Sequence, residues 1–327
     1  PRELIYVLVI ITGPLLHVLH KPPAREQCVA KFHELWRGKK QAIGKTALYA
    51  TATVIFLGVF QLMTYQRMAI FDAVRSPWER LDPSILLTMG IVLLLVFGLL
   101  MREKARALSL TCLTLALFLF LSLAVFVFPL GFGFDAFIHR ATERYLADMG
   151  TITPKPLYYI GQYVLVLFFH HGFSLPIDLV DTFLVPILAA IFLPMAWVTA
   201  SVHLTSEKHL ATSTLVGLFL IPLGSFIVTT PQALANLWTL LLILFAVPYV
   251  LSSERPPLPI LGLLALATLA IHPIAGLPAL LFFLLLATDP SQSPSQWKSL
   301  SQIVFFGIIV VTSVILPLSF LVLGWLN

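Results

Sequence analysis

The sequence is poor in charge. Only 11% of its 327 residues are Asp, Glu, Lys or Arg, where a soluble domain carries about 25%. That shortage excludes a water-soluble globular protein. Cysteine is scarcer still: Cys28 lies in a basic stretch and Cys112 in an apolar run, which excludes a disulfide framework and a cysteine-based metal centre. The motifs of soluble enzymes are missing as well. There is no P-loop, no Rossmann glycine pattern, no G-x-S-x-G and no H-E-x-x-H. No internal repeat is visible, and mid-membrane charges are few, both of which speak against a repeat-built transporter. What abounds is apolar. Hydrophobic residues make up 59% of the chain and the mean hydropathy is +0.96, the composition of an all-α, polytopic transmembrane helical bundle. The formal charge of +5 comes from a few short basic loops, a pattern that membrane orientation produces without a nucleic-acid partner. A chain that opens on Pro1 is expected to be trimmed, so no signal peptide is judged from it.

About 20 apolar residues cross a bilayer, and runs of that kind follow one another along the chain. Residues 4–20 form a first candidate. Residues 21–45 then carry Lys21, Arg25, Lys31, Arg37, Lys39, Lys40 and Lys45, a density that marks a cytoplasmic loop. Residues 46–65 span outward and 84–101 return to a second basic cluster, Arg102, Lys104 and Arg106. Residues 107–130 cross outward again, which puts residues 131–176 on the extracytoplasmic or lumenal face. Residues 156–171 read as a juxtamembrane or re-entrant helix. Then 177–202 go in, 211–229 out, and 233–251 in. The stretch 258–288 reads as two short helices meeting at His272-Pro273, because proline disfavours helix at the residue before it. Residues 302–325 make the last of about ten spans. The expected organisation is an N-terminal helical module, 1–106, followed by a membrane core, 107–327, that carries the outer loop 131–176.

That loop is a polar, aromatic island among apolar helices. Taken as a helix starting at Phe134 or Asp135, it rotates by about 100° per residue. Phe134, Phe137, Ile138, Ala141, Tyr145 and Met149 then share an apolar face. Asp135, His139 and Thr142 line a polar flank with Glu143 beyond, and Arg140 and Arg144 lie one turn apart on the other side. Such a helix suits a membrane surface. Asp135 has two readings, a helix N-cap or a chemical group. Asp178 and Asp181 also have two: caps after Pro176, or carboxylates that are paired or functional where a span begins. His170-His171 reads as an interfacial pair rather than a metal site, since neighbours on a helix point apart.

The order of these features resembles the first outer loop of the GT-C superfamily, integral-membrane glycosyltransferases that use polyprenyl-phosphate-linked sugars. Phe134-Asp135, followed by His139-Arg140-Ala141-Thr142-Glu143-Arg144-Tyr145-Leu146, is similar to the catalytic subunit of oligosaccharyltransferases, and Leu175-Pro176-Ile177-Asp178 looks like the start of that family's next span. Lys155-Pro156-Leu157-Tyr158-Tyr159 resembles the K-P-P-L-Y-Y signature of protein O-mannosyltransferases and lipid A aminoarabinose transferases, one proline short. The resemblance covers residues 107 to about 252, its specific part being 131–178.

What the resemblance implies is a transferase moving a sugar from a polyprenyl-phosphate donor to a lipid, glycan or protein acceptor, among membrane lipids. Asp135 would be the catalytic carboxylate, since such transfer needs a base for the acceptor proton. Arg140, Arg144 and Lys155 would stabilise the leaving phosphate. His139 would orient Asp135 or bind acceptor, and Tyr158 and Tyr159 would stack on sugar or lipid. Asp178 and His272 complete the expected substrate contacts. The family also admits a divalent metal, Mg or Mn, but the position that is usually acidic reads Thr229-Thr230-Pro231-Gln232 here, and Gln232 is neither a base nor an anionic ligand. The rival expectation is a lipid-linked-sugar binding protein, flippase or transporter without covalent chemistry.

Overall fold

A computed structural model describes residues 44–72, 79, 81–102, 106–128, 135–152, 158–204, 214–220, 223–251, 258–288, 302–304 and 307. The first expected span, nearly all of the basic loop 21–45, and almost all of the last span lie outside them. Among the described residues run nine α-helices: α1 Lys45–Arg67, α2 Pro83–Leu100, α3 Arg106–Val127, α4 Ala136–Met149, α5 Ile160–Phe173, α6 Ile177–Leu204, α7 Pro231–Leu251, α8 Leu258–Ile271 and α9 Pro273–Ala287. No strand occurs among the described residues.

Five helices, α1, α2, α3, α6 and α7, are long and apolar enough to cross a membrane. The other apolar helices, α5, α8 and α9, have 14 or 15 residues, roughly 21–23 Å at 1.5 Å per residue, short of a hydrocarbon core of about 30 Å. The break between α8 and α9 falls at His272-Pro273 as the sequence predicts, with His272 Nδ1 accepting from the Ala275 N–H at 3.2 Å. The expected span 211–229 is not a helix of that kind. Its described part is two 3₁₀ segments, Thr214–Leu220 and Leu223–Phe226. Pro222 and Gly224 interrupt the run, and a 3₁₀ segment of seven residues rises only about 14 Å.

Helix α3 is central. It packs on α1, α2 and α6, while α6 packs in turn on α7, and α7 on α8. Two-thirds of the apolar window of α3 is buried, against 28% for α1, which leaves Leu48, Phe56, Leu87 and Leu94 facing outward where lipid would cover them. Several buried polar groups within the spans bond across helices, as a medium without water favours, although Thr51 Oγ1 and Gln61 Oε1 have no partner. Gln61 Nε2 donates to the Tyr65 hydroxyl at 2.6 Å, and that hydroxyl donates to Leu119 O at 3.3 Å, tying α1 to α3. Ser109 Oγ donates to Leu99 O at 2.8 Å, tying α3 to α2. On the other side of the bundle, Thr229 Oγ1 accepts from the Val185 N–H at 3.1 Å and so pins α6 to the start of α7.

The two remaining helices sit together at one end of α6. Helix α4 packs on α5 and α6, and α5 packs on α6 and α8. Gly150 closes α4 at φ 67°, a left-handed geometry that a side chain resists, and its N–H donates to Leu146 O at 3.0 Å. Gly161 lets α5 meet α8 at backbone distance. A Cβ there would lie 2.8 Å from Ile271 N and 2.9 Å from Ala270 C.

Candidate functional site

The island folds as the sequence predicts in outline, one helix from Ala136 to Met149, but its faces are used differently. Phe137, Ile138, Tyr145 and Met149 are exposed, while His139, Thr142, Glu143 and Leu146 are turned into the protein. Phe134 lies outside the described residues. A membrane-surface helix turns its charges to water, whereas here Glu143 is buried and Arg140 is turned inward. The reason is on the facing helices, which offer polar partners rather than an apolar wall.

Those partners come from the start of α6 and from α5. Arg140 Nε lies 3.0 Å from Asp181 Oδ2 and 3.7 Å from Asp178 Oδ1, and its Nη2 donates to Thr182 Oγ1 at 3.1 Å. Arg144 Nη2 reaches both oxygens of Asp178 at 2.6 Å. Asp178 and Asp181 thus pair with arginines, which answers the cost of a carboxylate where a span begins. The two arginines expected at a phosphate are held by carboxylates, and Arg144 keeps 57% of its side chain exposed.

Deeper in, Glu143 is fully buried and Gln162 Nε2 donates to its Oε1 at 3.1 Å. Burial, reinforced by the negative charge of Asp181, pushes the Glu143 carboxyl well above the ordinary carboxylate range. Asp181 is 1% exposed. Glu143 Oε2, Asp181 Oδ1 and Gln162 Oε1 have no hydrogen-bond partner. On the sequence alone Glu143 stands only at the margin of the polar flank, and Gln162 and Tyr163 do not stand out. The available signal was spacing: Glu143 lies one turn after His139 on the same helix flank, and Gln162 is the one amide in a short apolar helix.

A ring stack adjoins the carboxylates. His139 Nδ1 lies 2.9 Å from the Tyr163 hydroxyl. Tyr159 packs edge-on against His139, with ring centroids 5.3 Å apart, and tilted against His272 at 5.1 Å. Tyr159 adopts φ 67°, a left-handed conformation that costs a non-glycine residue on the order of 1–3 kcal/mol and persists only where surroundings enforce it. Tyr158 is 60% exposed. His139, Arg140, Arg144, Tyr159, Asp178 and His272 are therefore gathered at one corner. Asp135 stands at the exposed N-terminus of α4, its carboxylate bonded to no helix N–H and in no ion pair among the described residues. Lys155 lies outside those residues.

An apolar groove begins beside the polar corner. Leu175, Leu179, Val180, Phe183, Leu184, Ile187 and Leu188 line it from the α6 side, Phe169 from α5, and Phe118 and Phe126 from α3, around a volume of about 460 Å³. From Leu179 to Leu188 it follows α6 for roughly 14 Å. Toward a divalent ion the described residues do not fit: no three carboxylate, imidazole or thiol groups converge among them, and Gln232 Nε2 is bonded to Asn236 Oδ1 at 2.9 Å. No protein-family model, curated protein or solved structure matches this chain.

Proposed function

We propose that the chain is a GT-C-like membrane glycosyltransferase, about ten spans in all, with its donor site at the α4–α5–α6 corner on the extracytoplasmic or lumenal face. It moves a sugar from a polyprenyl-phosphate donor to an acceptor, and Asp135 is its catalytic carboxylate. One observation carries this: a wholly apolar groove along a membrane-spanning helix begins within a turn of a cluster of arginines and carboxylates. A substrate with a long apolar chain and a phosphate headgroup has that same shape and polarity, which a water-soluble sugar nucleotide does not.

The steps follow from the residues. The isoprenoid chain lies along Leu179, Phe183 and Ile187, which brings its phosphate to the level of Arg144. Being the more exposed arginine, Arg144 exchanges its Asp178 partner for phosphate at the least cost, while Arg140 stays fixed by Asp181 and Thr182. Asp135 accepts the proton of the acceptor as the acceptor attacks the anomeric carbon. The bond from that carbon to the phosphate oxygen breaks, and the phosphate leaves with the electron pair, its charge met by Arg144 and Lys155. No step passes through a metal.

A specific observation favours the rival: a buried pair of carboxylates at a membrane boundary also suits a carrier or flippase that binds the same lipid without covalent chemistry. Binding and chemistry separate experimentally. A polyprenyl-phosphate sugar bearing a photoactivatable group on its isoprenoid chain is expected to form adducts between Leu179 and Leu188, suppressed by unlabelled donor and by Leu184→Trp. Labelling spread over all lipid-facing helices and indifferent to competitor would remove the lipid-linked substrate from both readings.

A further inference from the structure

We propose that Glu143 and Asp181, with Gln162 as the group that orients Glu143, bind one exchangeable proton, and that this proton fastens α4 to α6. The inference stands apart from glycosyl transfer and holds for a carrier equally. It begins from three buried acceptors on three helices: Glu143 Oε2 on α4, Gln162 Oε1 on α5 and Asp181 Oδ1 on α6, none with a partner, all at 0–1% exposure. Buried acceptors without donors are rare, and each calls for an explanation. The amide of Gln162 holds Glu143 through Oε1, and Arg140, one turn before Glu143 on α4, is bonded to Asp181 at 3.0 Å, which brings both carboxyls to the same α4–α6 contact. A proton on Glu143 Oε2 donated to Asp181 Oδ1 satisfies two of the three orphans in one bond.

Charge leads to the same occupant. Glu143, Asp178 and Asp181 face two guanidiniums, Arg140 and Arg144, so one negative charge is left over among them. An uncompensated charge in such a site is costly enough that the group takes up a proton instead. The other groups facing the pair are known. From α4 come His139, with Nδ1 on Tyr163, and Arg140 and Arg144. From α5 comes the Tyr163 hydroxyl, and from α6 Asp178. Tyr159 and His272 stand behind His139. Loss of the proton sets two carboxylates against each other across the α4–α6 contact with only Arg140 between them and the rest of the chain, and α4 loosens.

The occupant is tested on the full chain in detergent micelles or lipid nanodiscs by infrared difference spectroscopy against pH. The expected result is a protonated-carboxylic-acid carbonyl band at neutral pH that shifts in D₂O, titrates away only in the alkaline range, and is lost in Glu143→Gln. Wild-type protein without that band at neutral pH overturns the proposal, whatever the variant does. If Glu143→Gln does not fold, Asp181→Asn serves. It removes the acceptor, so the band should move and titrate at a different pH, and an unmoved band overturns the pairing. A final arm compares melting at alkaline pH in NaCl and in choline chloride. Equal melting supports the proton, whereas selective protection by Na⁺ overturns it in favour of a metal cation at the same oxygens.

Discussion

A carboxyl buried at a membrane boundary lowers its cost by pairing with a cation, by accepting N–H groups, or by keeping its proton. Asp181 takes the first course with Arg140, the half-exposed Asp178 pairs with Arg144, and Glu143 has one amide and no arginine of its own. Its carboxyl is accordingly raised from 4.5 to about 9, chiefly by burial. The sign of the consequence follows from proton linkage. Below the ordinary value both folded and unfolded chains carry the proton, and the stabilisation is fully present. Above it the unfolded chain releases the proton while the folded one keeps it, so stability falls as pH rises toward the folded value, by about 1.4 kcal/mol per pH unit for one proton. Melting temperature should therefore decline from pH 5 to pH 9, and Glu143→Gln, which mimics the protonated form, should flatten that decline. A Glu143→Gln protein with the wild-type slope would show that the proton sits elsewhere.

Among the elements, those with a strong apolar period or length were legible. Helices α1, α2, α3, α6 and α7 fall within a few residues of the expected runs, because about 20 apolar residues admit little else. The 3₁₀ stretch was not legible, because its hydropathy matches a span and only Pro222 and Gly224 argue against one. The buried side of α4 was hidden for a different reason. Periodicity places residues on faces, but which face turns inward depends on α5 and α6, and those bring polar groups. The seat of α5 on α8 hangs on Gly161. Gly161→Ala drives a Cβ to 2.8 Å from the Ile271 backbone, an overpacking worth about 1–3 kcal/mol. It should lower the melting temperature and disturb the Tyr159–His272 contact. Calorimetry or scanning fluorimetry in detergent measures it, and an unchanged melting temperature would mean that α5 and α8 do not meet there.

At the scale of the molecule, the described residues hold five helices long and apolar enough to cross a membrane and three shorter apolar ones, and the α4–α5–α6 corner is the one described region dense in paired charge. The Lys/Arg clusters at 21–45 and 102–106 set an expected orientation. Single cysteines at Ser84 and Met149, in a chain with Cys28 and Cys112 replaced, should react with an impermeant thiol reagent from outside, and a cysteine at Gln41 should not. Reaction at Gln41 alone would invert the molecule and move the corner to the cytoplasm.

Glycosyl transfer by this chain, as proposed, depends on Asp135. Its side chain caps no helix and is exposed, so Asp135→Asn changes neither packing nor the helix start, and melting should be unaltered. The amide accepts no proton at neutral pH. Transfer from a polyprenyl-phosphate sugar to acceptor, followed in liposomes, should fall by 10²-fold or more, the scale of general-base catalysis, while donor binding and photolabelling of the groove stay at wild-type levels. Wild-type transfer by the Asp135→Asn protein would contradict the assignment of Asp135 as the base. Donor binding with no transfer by the wild type itself would contradict the enzyme and leave the carrier.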